Sequence, residues 1–289
     1  MLTALDHVIV AVRDLEAATA RTVRLLSRTP SWRGEHPAEG TANTLFRVAN
    51  TYLELIAPLG DGPGGRSVEA LLESRGEGLL GLAFQTADAE ACHAAFAEAG
   101  LDPDPPTNGL GRDVESGAFR EWRRVNLPLE GTRGVFLFAI EHRSPPDALP
   151  PAGWLGSEES GVEALDHVVV NTVDGDAARA FYGEKLGLRL ALDRSFPKWK
   201  ARMLFFRVGG VTVEVVARLG DELPQDDGDR LFGLCWQVSD ADATRARLID
   251  TGFDVSDVRA GRKPGTRVLT VRDGTCGVPT LLLELGVPA

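Results

Sequence analysis

Two residue pairs with the same spacing carry the chemistry of this chain. His7 is followed by Glu54 with 46 residues between them, and His167 is followed by Glu214 with the same 46 between. An imidazole and a carboxylate brought together can hold a divalent ion such as Mg2+, Mn2+, Fe2+ or Zn2+. An ion held in this way can polarise two adjacent oxygens of a substrate. The same two groups can equally form a buried hydrogen-bonded pair with no ion. Each Glu sits inside an apolar run, TYLELIAP (51–58) or VTVEVVA (211–217). A carboxylate is costly to bury there unless it is paired.

The elements that must position these residues are themselves duplicated. Positions 1–18 and 161–178 share 9 of 18 residues, and 45–61 and 205–221 share 8 of 17. A second kind of unit repeats at a shorter offset, with 9 of 23 residues shared between 80–102 and 232–254. Residues 4–12 (ALDHVIVAV) are rich in β-branched side chains and read as a strand, followed by a helix over 15–26 behind a capping Asp14. Strands are expected at 44–48 and 51–58, with a further one inside 30–36. The second unit opens with a strand at 80–88 and a helix over 89–99 ended by Gly100, then strands at 121–127 and 134–142. The matching strands of the second half fall at 266–272 and 279–285. Residues 59–77 hold five glycines or prolines within 60–65 and read as an internal linker with a short helix.

The pattern is four β-α-β-β-β units in two pairs. A unit with a single helix cannot cover both faces of its sheet, so pairing two units lets the sheets curl around a shared interior. The fold class is therefore α+β, with domain 1 over 1–143, a proline-bearing linker over 144–161 and domain 2 over 162–289.

Net charge is −11, which argues against nucleic acid and anionic membranes as partners. Cys92, Cys235 and Cys276 have no CxxC spacing and are odd in number, which fits a reducing cytoplasm better than a disulfide framework. The start, MLTALDHVIVAV, has no basic leader and its apolar run is broken by Asp6 and His7, so neither a signal peptide nor a span is expected. No P-loop, dinucleotide fingerprint or nucleophile–base pair stands out.

Several other residues are candidates for ligand contact. Gln85 and Gln237 match each other in mid-strand, as do Arg47 and Arg207, and a mid-strand Arg can take a carboxylate. His36, Asn43 and Tyr52 occur in the first half alone, where the second has Phe196, Met203 and Thr212. This asymmetry points to different ligands in the two halves and to the first as the working one. Trp199 and Trp236 are candidates for an apolar cavity wall, or for core. His93 and His142 read as surface, and Cys235 as a small core residue.

The chain resembles the vicinal oxygen chelate superfamily, also called the glyoxalase / bleomycin-resistance / extradiol-dioxygenase superfamily. The residues that carry the resemblance are LDHVIVAVRDLEAA and LDHVVVNTVDGDAARAFYGEKLGLRL, the Glu-bearing strands quoted above, and LGLAFQTAD and FGLCWQVSD. The first half is more like a glyoxalase-like subgroup of bacterial proteins. The resemblance implies tandem glyoxalase-like domains, each of two paired βαβββ modules forming a curved sheet around a cavity. It also implies a metal at four positions per domain: His7, Glu54, the position of Gly81 and a last-strand Glu141 in the first, and His167, Glu214, the position of Gly233 and Glu284 in the second. Glu54 and Glu141 would then be the catalytic acids. Both halves have Gly where metal-using members place a ligand.

Two function classes follow. One is a metal-dependent enzyme acting on a small oxygenated metabolite, a lyase or isomerase rather than a dioxygenase. The other is a metal-free small-molecule binder of the bleomycin-resistance type. Either would have cavities complete within one chain, as a monomer or homodimer.

Overall fold

The computed structural model describes residues 1–219 and 228–286. The first half runs β1 (Leu2–Ala11), α1 (Leu15–Leu26), β2 (Trp32–His36), β3 (Thr41–Arg47), β4 (Tyr52–Pro58), α2 (Pro63–Arg75), β5 (Gly78–Thr86), α3 (Ala89–Glu98), β6 (Thr107–Asp113), β7 (Phe119–Asn126) and β8 (Phe136–His142). Its strands close into a barrel in the order β1-β4-β3-β2-β6-β7-β8-β5. The ring is completed by Gly34 and Glu35 of β2 against Asp113 and Arg112 of β6.

The second half runs β9 (Val162–Thr172), α4 (Gly175–Arg179), β10 (Arg189–Phe196), β11 (Ala201–Val208), β12 (Val211–Arg218), β13 (Arg230–Val238), α5 (Ala241–Asp250), β14 (Arg259–Ala260), β15 (Arg267–Val271) and β16 (Thr280–Glu284). Here the eight strands form an open curved sheet, with β10 and β14 as its edges. The four βαβββ modules expected from the repeat are present. Each opening helix starts at an Asp whose side chain accepts a backbone N–H: Asp14, Asp88, Asp174 and Asp240. Such a cap contributes about 1 kcal/mol.

Three features differ from the sequence expectation. Residues 63–75 form a full helix, and its Val68 and Leu72 pack on Ala11, Ile56 and Leu80, plugging one end of the barrel. Strand β6 is absent from the sequence reading because TNGLGRD has a single β-branched residue, Thr107, and two glycines. The indole of Trp122 lies across it, and a Cβ on Gly109 would come 2.2 Å from that ring. Residues 144–161, expected as a connector, lie against the first barrel. Leu149 packs with Trp32, Leu45 and Tyr52, and Ala152 N–H donates to the Arg47 carbonyl.

The outer faces of the two sheets share one core. Val8 and Val10 of β1, Leu25 and Leu26 of α1, and Val168 and Trp236 of the second half belong to a single buried cluster. Asn50 fastens the seam: its Nδ2 donates to the Leu165 carbonyl at 2.8 Å, and its Oδ1 accepts from the Leu165 N–H at 3.0 Å. Asn50→Ala leaves both backbone groups unpaired and is expected to cost about 1–3 kcal/mol in urea unfolding. A change below about 0.5 kcal/mol would mean that water replaces the amide there. Among the described residues no helix is long and apolar enough to cross a membrane.

Candidate functional site

Strand alternation turns His7 and Ile9 of β1 into the barrel, together with Tyr52 and Glu54 of β4. The parallel register sets His7 beside Tyr52 and Ile9 beside Glu54. His7 Nε2 lies 3.3 Å from Glu54 Oε2, and Asn43 Nδ2 on β3 donates to Glu54 Oε1 at 2.7 Å. The β1/β5 register slips between Leu5 and His7. At this bulge the consecutive residues Asp6 and His7 meet: Asp6 Oδ1 lies 2.7 Å from His7 Nδ1. The other Asp6 oxygen lies 2.7 Å from His142 Nε2 on β8. The Tyr52 ring stacks on His7 at 4.4 Å and Phe138 meets it edge-on at 5.6 Å.

The result is a continuous chain, His142–Asp6–His7–Glu54–Asn43, running from the barrel mouth to its middle. Burial alone would lower the His7 pKa, but hydrogen bonds to Asp6 and Glu54 push it up to about 9. Burial would raise Asp6, yet His142 and His7 hold it well below the usual carboxylate range. Glu54 is likewise lowered against its burial, by His7 and then Asn43. An ionised carboxylate can only accept, so the ring nitrogens facing these acids carry the protons. His7 is then an imidazolium donating at both nitrogens. His142 donates from Nε2 to Asp6. Asn43 Oδ1 is buried with no hydrogen-bond partner.

The outer end of this chain borders a cavity of about 260 Å3, lined in part by Asp6, Arg47, Tyr52, Gln85, Arg120 and His142. The segment behind β8 contributes Pro145, Pro146 and Leu149 to its wall. Burial raises the Tyr52 hydroxyl well above its ordinary value, so it is a neutral donor.

The four-position metal set implied by the resemblance does not fit the first barrel. His7 and Glu54 supply two donors. A Cβ at Gly81 would lie 2.6 Å from Phe136 Cδ1 and 2.7 Å from the Phe136 carbonyl oxygen, so packing leaves no room for a ligand there. The β8 side chain that faces His7 is Phe138. Glu141 stands on the other face of β8, where it accepts from Ala89 N–H at the start of α3 at 3.0 Å and pairs with Arg143. Glu284 does the same for α5, accepting from Ala241 N–H at 2.8 Å. Both acids face a helix N-terminus, a position that suits negative charge, and neither reaches its His–Glu pair.

In the second half His167 Nδ1 lies 2.7 Å from Asp166 Oδ1, and Nε2 lies 3.4 Å from Glu214 Oε2. Gln237 Nε2 donates to the other Asp166 oxygen, where the first half uses His142. Met203 stands where Asn43 would support the Glu, and burial raises the Glu214 pKa instead of leaving it lowered. Cys235 pairs in register with His167. Among the described residues Asp166, His167 and Cys235 are one group whose donor atoms lie within 4.8 Å of one another. A thiol, imidazole and carboxylate suit Zn2+ or Fe2+ better than Mg2+. Burial, then the charges of Asp166 and Glu214, push the Cys235 thiol well above its usual value.

The structure thus brings His7, Glu54, Asn43 and Tyr52 together, with Arg47 and Gln85 at the cavity mouth. His36 sits apart from the chain, with Nδ1 3.2 Å from the Thr41 hydroxyl and its ring edge-on to Trp122. Arg207 donates to Thr212. Trp236 is 1% exposed in the shared core, where it borders a small apolar void of about 20 Å3 between the two halves and not the cavity lined by Asp6 and Arg120. The sequence reading did not single out Asp6 or Arg120 and took His142 for surface, whereas its half-buried ring pairs with Asp6 and lines the cavity. Asp6 carried a visible signal, because Asp166 repeats it beside His167. His142 and Arg120 have no counterpart in the repeat.

Comparison with known proteins gives concordant matches. The family model described as "Glyoxalase-like domain" matches residues 5–161. The model described as "Glyoxalase/Bleomycin resistance protein/Dioxygenase superfamily" matches residues 166–270. An ethylmalonyl-CoA/methylmalonyl-CoA epimerase of Cereibacter sphaeroides is 31% identical over 101 residues, covering 35% of this chain and 73% of that one. A mutant 4-hydroxymandelate synthase from Streptomyces coelicolor superposes with a TM-score of 0.68 at 18% identity, over 100% of this chain and 94% of the other. A hypothetical protein from Staphylococcus aureus gives 0.65 at 10% identity, over 97% and 99%. These two structural likenesses concern the fold alone.

Proposed function

The chain belongs to the glyoxalase/bleomycin resistance protein/dioxygenase superfamily, and from that premise we propose that its first barrel takes a small oxygenated metabolite into the cavity and moves a proton on it. The observation that carries this reading is the chain from Glu54 through His7 and Asp6 to His142, a residue of the cavity wall. His142 would act as general base toward a C–H next to a carbonyl, and Asp6 would orient the ring and stabilise the imidazolium that forms. The epimerase named above offers a parallel, since epimerisation removes and returns a proton at one centre. No step here passes through a metal, because the first barrel's donors do not fit one.

The test is exchange of C–H for C–D in D2O, followed by proton NMR, with pyruvate, acetoacetate and dihydroxyacetone as probes. The wild type is expected to exceed the buffer rate on at least one probe, and His142→Gln to lower that rate by about 100-fold or more, with EDTA having no effect. Loss of exchange in EDTA that returns with a divalent ion would overturn the metal-free route. A probe that protects the fold but never exchanges would favour the second reading, a binding protein using the same cavity.

A further inference from the structure

The cavity wall carries more positive charge than its surroundings neutralise. Arg120 is 7% exposed and lines the cavity. Its guanidinium lies 5.5 Å from the Trp32 ring centre and 5.6 Å from that of Tyr52. Arg47 lines the same space, held by the carbonyls of Pro146 and Leu149. Among the described residues neither guanidinium is ion-paired with a carboxylate. The single acid of the wall is Asp6, and both its oxygens are taken by imidazoles. Two arginines without a counter-ion border one small cavity, in a chain whose net charge is −11.

A buried cation is costly unless it is paired. Aromatic faces and the Tyr52 hydroxyl satisfy part of the guanidinium, but no carboxylate among the described residues pairs with it, and a guanidinium fork matches a planar carboxylate with two parallel hydrogen bonds. We infer that the ligand of this cavity carries a carboxylate, which Arg120 takes with Arg47 beside it. This deepens the proposed function and rests on its reading of the cavity as the working site. Register places the anchor near the base. Trp122 pairs with His142 across β7 and β8, and Arg120 lies two residues before Trp122 on the same face of the strand. A substrate anchored at Arg120 by its carboxylate would therefore present its neighbouring carbon on the side of the wall that holds His142.

The experiment compares small acids with their neutral forms: pyruvate with pyruvamide, lactate with lactamide, and glycolate with glycolamide. Binding to the full chain is read by isothermal titration and by quenching of tryptophan fluorescence, since Trp32 borders Arg120. At least one acid is expected to bind wild-type protein, and its amide at least tenfold more weakly. Arg120→Lys keeps the charge but loses the fork, and is expected to weaken the acid about tenfold. Arg120→Gln should abolish the preference for acid over amide. Circular dichroism checks that each variant is folded, and Arg47→Gln, outside the barrel core, provides a second variant expected to weaken acids selectively. Equal binding of acid and amide, or an acid affinity indifferent to both Arg120→Gln and Arg47→Gln, overturns the carboxylate and leaves the cavity reading standing. If neither form of any pair binds at 20 mM or below, the carboxylate inference fails together with the claim that this cavity is the ligand site. C–D exchange on a neutral probe would still uphold proton transfer elsewhere in the barrel.

Discussion

Asp6→Asn is expected to lower the free energy of unfolding by about 3–5 kcal/mol, the range for breaking a buried charge pair on one side. The Asp6 side chain is 7% exposed and bridges two imidazoles at 2.7 Å each. Asparagine keeps the outline but supplies one acceptor where two are needed, and its amino group would face an N–H. It also leaves the His7 imidazolium with Glu54 as its one counter-charge. The counterpart in the second half provides the control. Asp166 and His167 have side chains 23% and 19% exposed, and Asp166 is supported by Gln237. Asp166→Asn should therefore cost clearly less, about 1–2 kcal/mol. Urea unfolding at pH 6 measures both. Equal losses in the two variants would mean that the first barrel's chain is no more strongly charged than the second's, and the proton-relay reading would lose its basis.

The second large effect is on pH dependence. His7 has its pKa raised from 6.5 to about 9 in the folded protein. A raised imidazole pKa contributes stability that is fully present below the unfolded value and is lost as pH rises through the folded one. At about 1.4 kcal/mol for each tenfold change in proton affinity, the rise amounts to about 3 kcal/mol. Wild-type protein should therefore lose about 3 kcal/mol between pH 6.5 and pH 9.5. Asp6 and Glu54 work in the opposite sense. Their lowered values contribute stability above the ordinary 3.8 and 4.5, and it is lost as acid protonates them. Maximum stability is thus expected between about pH 4.5 and 6.5. A flat profile from 6.5 to 9.5 would show that His7 is neutral in the folded protein. The slope should shrink markedly in Asp6→Asn.

How far the site was legible in the sequence depends on which residues the repeat could vouch for. His7 and Glu54 were readable because His167 and Glu214 recur at the same spacing, and a Glu inside TYLELIAP demands a partner. Asn43 and Tyr52 were readable by contrast, as polar positions that the second half lacks. The faces of Glu141 and Glu284 were not readable. Adjacent strand residues point opposite ways, so a reading of GVFLFAIEH that lacks the pairing partner of each residue cannot fix which face an acid takes. Register supplies it: Glu141 pairs with Arg123, and the inward partners on β8 are Phe138 and His142. Arg120 had no signal at all, since it lies in a strand rich in charged residues and is not itself repeated. The fold itself was legible in its modules and less so in its closures. The plug formed by α2 was hidden by glycines, and β6 by the glycines that admit Trp122.

A ring of strands has no first or last member, whereas an open sheet always has two. In the first half every strand has two neighbours, so the ring has no edge strand. The second half leaves β10 and β14 with unpaired amides, the usual template for strand addition and fibril growth. The chain blunts both. The β14 edge is two residues long, and β10 carries Arg189, Asp193 and Arg194, with Asp193 clamped by Arg202 of β11 at 2.8 Å through both oxygens. Duplication thus left one half closed on itself and the other with two edges that short length and charge protect.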